Sequence, residues 1–157
     1  MLFKNIAVLD ENYQIKENMY VSTAGERIAY IGSEKPRGDF GYDGKGKLLM
    51  PGFYNSHAHS PMVLMRGYGE NLSLQDWLNK KIFPFEDKLD GNAVYWGTML
   101  SYAESLRFGI VSSSEMYYFM DDMVRAAKES KVKANISRAI VNFDDSDVWK
   151  LPSMMEM

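Results

Sequence analysis

The fold is decided by the stretch LMPGFYNSHAHSP, residues 49–61, because the character of the sequence changes there. Before this stretch the chain reads as short strands and turns, and after it strands alternate with helices. In a strand, side chains two residues apart point to the same side of the sheet. We therefore expect Phe53, Asn55, His57 and His59 to share one face of a strand.

The His57–His59 pair is the first candidate for chemistry. Pro61 cannot donate to a strand ladder, so the strand is predicted to end near His59. In parallel α/β folds, functional residues gather at the C-terminal ends of the strands. Two imidazoles one strand repeat apart can bind one cation at Zn–N distances of about 2.0–2.1 Å. The pair thus predicts a metal site; the alternative is two polar residues on a surface loop.

Upstream of this stretch, residues 1–50 are predicted to form a separate, small antiparallel β unit without helices. Apolar runs are interrupted by turn clusters and by glycine, which is typical of short strands. We expect strands at Leu2–Leu9, Asn18–Thr23 and Arg27–Ile31, and a polar, glycine-rich loop from Ser33 to Lys47.

Downstream, residues 51–157 are predicted to form a second domain with a parallel sheet that begins near Leu49. Capping residues and apolar spacing mark two longer helices, one begun by Ser73 with Asp76 and ended by Pro84, the other begun by Asp90. The alternation of strands and helices indicates a parallel α/β sheet. The expected elements are helix Leu74–Ile82, a helix from Asp90 to about Phe108 with Gly109 at its end, strand Ile110–Tyr118, helix Asp121–Lys131 and strand Ala134–Asn142.

Composition excludes several classes of protein. Of the 157 residues, 46% are hydrophobic and 25% are charged, which is typical of a globular domain with a core. The net charge of −3 makes a nucleic acid an unexpected partner, and the sequence predicts neither a membrane helix nor a signal peptide. Cysteine is absent, which excludes disulfides and thiolate metal sites. We expect a cytoplasmic protein.

Several stretches together resemble a known family. Residues 49–59 are similar to the first barrel strand of the amidohydrolase superfamily, and the resemblance extends from residue 1 to about 142. Other stretches resemble its methylthioadenosine/S-adenosylhomocysteine deaminase and chlorohydrolase branch. They are AGERIAYIG at 24–32, SPMVLMRGY at 60–68, LSLQDWL at 72–78 and IFPFE at 82–86.

The resemblance implies a (β/α)8 TIM barrel together with a β-sandwich to which residues 1–50 contribute. It implies a divalent metal, commonly zinc, held by His57, His59, two later histidines and an aspartate. The implied reaction is metal-dependent, hydrolytic deamination of a small nucleoside such as S-adenosylhomocysteine or 5′-methylthioadenosine, with a later glutamate moving the proton. The alternatives are a triazine-type chlorohydrolase or a guanine or cytosine deaminase on the same scaffold, and a non-catalytic fragment that binds a partner.

The chain departs from the family pattern after its second histidine. No histidine follows His59, and 107 residues follow Met50, whereas a barrel typically needs about 250. We therefore expect a partial barrel of about three βα units, with the catalytic glutamate and aspartate beyond Met157. The isolated chain is expected to be inactive, whether it is a natural truncation, a sequence fragment or part of a split protein. The expected partner is another copy or a complementing C-terminal fragment.

Four other residues are candidates for the site. The resemblance suggests Trp77 for the purine pocket and Glu86 for the ribose hydroxyls, since a carboxylate accepts two hydrogen bonds. Arg138 is suited to a substrate carboxylate. Glu115 is suited to supporting a histidine from behind the metal. The alternatives are a core tryptophan for Trp77, a solvated surface glutamate for Glu86, an internal ion pair for Arg138 and a structural role for Glu115.

Overall fold

The computed structural model describes residues 1–38 and 41–138, and the chain divides into two compact units, Met1–Pro51 and Gly52–Met157. Among the helices in the described part of the chain, none combines the length and the apolar character needed to cross a membrane. The two units are described separately below.

The first unit is a five-stranded sheet around a small core. Three long strands, β1 to β3, pair antiparallel in the order β3-β2-β1, and two short strands, β4 and β5, pair parallel with β1. The core consists of Ile6, Val8 and Val21. The strands are β1 (Leu2–Leu9), β2 (Ile15–Ala24), β3 (Arg27–Gly32), β4 (Tyr42–Asp43) and β5 (Leu48–Leu49).

Two expectations for this region are wrong. The predicted loop between Ser33 and Lys47 contains β4, so the unit is not purely antiparallel. Leu48–Leu49 belongs to this sheet, opposite Ala7 and Val8, and does not begin the parallel sheet. Pairing with β1 satisfies the backbone of Leu48–Leu49, while Pro51 has no N–H to offer a ladder.

The second unit contains the predicted strand–helix alternation. Its three strands are parallel and lie in the order β6-β7-β8. The strands are β6 (Phe53–Ala58), β7 (Ile110–Tyr117) and β8 (Lys133–Arg138), and the helices are a 3-10 helix (Ser60–Met65), α1 (Leu74–Trp77), a π-helix (Leu78–Ile82), α2 (Phe83–Glu86), α3 (Gly91–Arg107) and α4 (Met120–Ser130). The predicted extension of the last strand to Asn142 lies outside the described residues.

The segment around Pro84 differs from its prediction. The hydroxyl of Ser73 accepts from the Asp76 N–H at 3.2 Å, which confirms the predicted start. Pro84, however, does not end the helix, which continues to Glu86. Proline is tolerated in the first turn of a helix, and the preceding π turn lets a new turn begin at Phe83. As a result Glu86 lies at the end of α2.

Helix α3 packs against the 3-10 helix that follows β6. The Asp90 carboxylate accepts from the Ala93 N–H at 2.7 Å and begins the helix, as its sequence predicts. At Gly97 the helix approaches the 3-10 helix so closely that a Cβ would lie 3.0 Å from the carbonyl oxygen of Pro61. Val94 of α3 packs with Tyr117 of β7 and Met123 of α4 in a buried cluster.

Candidate functional site

His57 and His59 lie together at the C-terminal end of β6. Their Nε2 atoms are 3.0 Å apart, and their rings are nearly perpendicular, with centroids separated by 4.9 Å. This convergence is what the spacing of the two residues predicts. The alternation from Phe53 is interrupted, however, because register shifts flank Tyr54 and Asn55. The role of the pair as metal ligands stays a prediction.

The carbonyl oxygen of Met116 orients the ring of His59. It lies 2.6 Å from Nδ1, and a carbonyl can only accept, so Nδ1 of His59 carries the proton. In the neutral ring Nε2 then presents a lone pair toward His57. That lone pair accepts the Nε2–H of His57 at 3.0 Å, and it is also the position from which His59 would coordinate a cation. This orientation by a backbone carbonyl is the arrangement usual for metal-binding histidines.

A small open cavity of about 210 Å³ lies beside the two histidines. Most of its lining residues have polar side chains, and they come from all three strands of the sheet. Ser137 donates to the carbonyl oxygen of Glu115 at 2.9 Å, which ties β8 to β7 at this edge. The lining residues are Ser56, His57, Ala58, His59, Ser114, Glu115, Met116, Asn135 and Ser137.

Glu86 is brought to the edge of this site by Tyr117. The buried Tyr117 hydroxyl donates to Glu86 Oε1 at 2.7 Å, and the Tyr117 and His59 ring centroids are 6.5 Å apart. Burial raises the pKa of Glu86, against the opposing effects of the Tyr117 hydrogen bond and of His59. Because the pKa of Glu86 is higher in the folded than in the unfolded chain, ionisation of Glu86 lowers the free energy of unfolding as the pH rises past the unfolded pKa. This loss of stability is absent at lower pH, where Glu86 is protonated in both states.

Tyr117→Phe is expected to raise the pKa of Glu86 further, because it removes the hydroxyl that stabilises the ionised carboxylate. The measurement is an NMR titration of the Glu86 side-chain carboxyl carbon. Tyr118→Phe is the matched control, since Tyr118 is the adjacent tyrosine and its ring packs against that of Tyr117 at an angle of 55°. A Glu86 pKa that falls or stays constant in Tyr117→Phe would contradict the assigned hydrogen bond.

The other two predicted substrate residues are less directly connected to the histidines. Trp77 is partly buried at the end of α1 and packs beside Gly69. Arg138 pairs with Tyr117 in the sheet and has the same parity as Ile136, which packs against the core cluster. The register places Arg138 on the side of the sheet opposite Ser137, and its role as a substrate contact stays a prediction.

Two polar contacts were not predicted from the sequence. Arg66 forms a two-fold hydrogen-bonded ion pair with Glu104 at 3.1 and 2.6 Å, joining the end of the 3-10 helix to α3. The buried Glu115 accepts hydrogen bonds from Ser60 and Ser113, and its suggested support of a histidine stays a prediction. In the first contact and in that between Ser60 and Glu115, the two partners lie far apart along the chain, so no local sequence pattern marks the contact.

The pair is not accompanied by a third ligand in the described ranges 1–38 and 41–138, where no group of three or more His, Cys, Asp or Glu residues could hold a metal ion. The two imidazoles would therefore supply only two of the three or four protein ligands that a zinc site usually has.

The model of the amidohydrolase family matches residues 48–148. The chain belongs to this family. It is 39% identical over 151 residues to a 5-methylthioadenosine/S-adenosylhomocysteine deaminase of Archaeoglobus fulgidus, covering 96% of this chain and 35% of the relative. It is 42% identical over 125 residues to a 5′-deoxyadenosine deaminase of Methanospirillum hungatei, covering 80% and 27%. This amidohydrolase chain thus spans about a third of the length of the curated relatives it matches.

Solved structures agree with the family assignment. A zinc-bound adenosine deaminase from Xanthomonas campestris has a TM-score of 0.73 and 29% identity, covering 85% of this chain and 32% of that one. A zinc-complexed atrazine chlorohydrolase from Arthrobacter aurescens also has a TM-score of 0.73, at 18% identity, covering 87% and 35%. At that identity the second likeness concerns the fold alone.

Proposed function

We propose that this chain supplies the first metal-binding strand and part of the nucleoside site of a metal-dependent amidohydrolase. The reaction is the hydrolytic deamination of an adenosine derivative, S-adenosylhomocysteine or 5′-methylthioadenosine. The names of the more identical relatives support this substrate class over triazines, guanine or cytosine. In this proposal residues 51–157 form about three βα units of a (β/α)8 barrel, and residues 1–50 contribute to a composite β-sandwich.

The observation that carries the metal proposal is the geometry of the two imidazoles. Two nitrogens at about 2.0–2.1 Å from a tetrahedral zinc lie about 3.3–3.4 Å apart. The Nε2 atoms of His57 and His59 are 3.0 Å apart, so a slight separation of the two rings would bring them to that distance. The hydrogen bond to Met116 directs the lone pair of His59 toward the space between the two rings. When bound there, zinc lowers the pKa of a coordinated water toward about 7.

The nucleoside proposal rests on Glu86. Its carboxylate is half-buried, lies at the edge of the histidine site and has one oxygen bonded to Tyr117. Both oxygens retain lone pairs that adjacent ribose hydroxyls can use. Trp77 and Arg138 remain proposed contacts for the purine and for a carboxylate of the substrate. In this proposal the remaining metal ligands lie outside residues 1–157, on another copy of the chain or on a C-terminal segment.

A titration with zinc tests the metal proposal directly. The wild-type chain is expected to bind one ion weakly, and His57→Ala to lower that affinity by at least about tenfold, since even changes outside the ligand sphere cost 10–100-fold. Calorimetry or competition with a zinc indicator gives the two affinities. The chain has no other imidazole besides His59, so background binding by histidine is small.

Ser56→Ala is the matched control, because Ser56 lines the same cavity and is replaced without loss of a ring nitrogen. Its affinity should equal that of the wild type. Equal zinc affinity in the wild type and in His57→Ala would reject the proposed site.

A further inference from the structure

A buried carboxylate holds the turn that immediately follows the histidine pair. Glu115, on β7, is only 3% exposed. It accepts hydrogen bonds from the Ser60 N–H at 3.0 Å, from the Ser60 hydroxyl at 2.6 Å and from the Ser113 hydroxyl at 2.7 Å. The Ser101 hydroxyl of α3 donates in turn to that of Ser60 at 3.1 Å. One side chain therefore joins the turn, the sheet and, through Ser60, α3.

The position of Ser60 gives this carboxylate its importance for the site. Ser60 is bonded directly to His59 and is the first residue of the 3-10 helix, whose first N–H groups need partners from outside the helix. The ring of His59 is already bonded to Met116, and Glu115 receives the N–H of Ser60 instead. A carboxylate that accepts from a backbone N–H and a hydroxyl at once restricts both the position and the direction of the peptide.

Two successive residues of β7 thus act on one histidine. The Met116 carbonyl fixes the ring through Nδ1, but a ring is oriented only as well as its own backbone is placed. Glu115 supplies that placement through Ser60. We propose that Glu115 is a positioning residue for His59, which aligns Nε2 of His59 with Nε2 of His57. Its effect on metal binding rests on the proposed function above, whereas its effect on the ring does not.

The test compares Glu115→Gln with Ser113→Ala. Both alter the hydrogen bonds of the same buried carboxylate, but Ser113→Ala removes only a donor from β7 and keeps both hydrogen bonds from Ser60 of the turn. In Glu115→Gln we expect zinc affinity to fall by about 10–100-fold, and in Ser113→Ala to stay within about twofold of the wild type. A purely structural role would lower thermal stability in both variants and leave zinc affinity unchanged in the folded protein.

A second readout needs no metal. Long-range proton–nitrogen NMR spectra report which ring nitrogen of each histidine is protonated, and two histidines give a simple spectrum. The wild type should show His59 protonated at Nδ1, and Glu115→Gln should show a mixture of the two tautomers. Absence of zinc binding in the wild type would reject the proposed function, while the spectra would still decide the role of Glu115.

The outcome that overturns the inference is a folded Glu115→Gln with the wild-type tautomer of His59 and wild-type zinc affinity. Should Glu115→Gln not fold, Ser60→Ala replaces it, because it removes the 2.6 Å hydrogen bond and keeps the backbone one. A smaller shift in the same direction is then expected in both readouts, and a Ser60→Ala protein identical to Ser113→Ala overturns the inference.

Discussion

The purified 157-residue chain is expected to release no ammonia from S-adenosylhomocysteine or 5′-methylthioadenosine above the rate in buffer. A catalytic zinc usually keeps three protein ligands and a water, whereas this chain has only two histidines, and its described residues offer no cluster of three ligands. The glutamate expected to move the proton is not among these residues, and general acid–base catalysis of this kind typically contributes about 10²–10⁴-fold to a rate. Positioning of the substrate contributes up to about 7–11 kcal/mol. In the described residues this unit forms a three-stranded sheet and not a closed barrel around a substrate.

The assay is ammonia release by the purified chain with added zinc. The deaminase of Archaeoglobus fulgidus that is 39% identical serves as the positive control under the same conditions. Turnover that survives repurification and disappears in His57→Ala would contradict the prediction. It would show that the chain completes its site, for instance by assembly with other copies.

Elements marked by local chemistry were predicted well from the sequence. Ser73 and Asp90 begin helices because a short polar side chain there accepts a free N–H of the first turn. Gly109 follows α3 with a φ of +80°, a conformation that glycine adopts without steric cost. These signals lie within a few residues of the element that they control, so a sequence window contains them.

Elements decided by distant partners were predicted less well. Leu48–Leu49 has the apolar character of a buried strand in either sheet, and its assignment depends on Ala7 and Val8, some forty residues earlier. Pro84 is compatible with the end of a helix or with the first turn of a new one. Only the π turn that precedes it decides in favour of the second.

The candidate site divides in the same way. The convergence of His57 and His59 follows from their spacing, which is local. The bond of Glu86 to Tyr117 joins residues 31 positions apart, and that of Ser60 to Glu115 joins residues 55 apart. The direction of Arg138 depends on the register of β8, which places it in line with Ile136. Register is fixed by burial of a whole strand face, so a single residue cannot reveal it.

Met123→Ala is expected to lower the free energy of unfolding of residues 52–157 by about 2–5 kcal/mol, because it opens a cavity in a packed core. Met123 is fully buried and contacts Val94 and Tyr117, so its loss weakens the packing of α3 and α4 against β7. Trp77 and Trp96 lie in this unit and residues 1–51 contain no tryptophan, so fluorescence during urea unfolding does not report on the first unit. Leu106→Ala is the control, since Leu106 is 47% exposed on α3 and should change the midpoint little. Similar midpoints for the two variants would mean that Met123 does not pack in the core that supports β7.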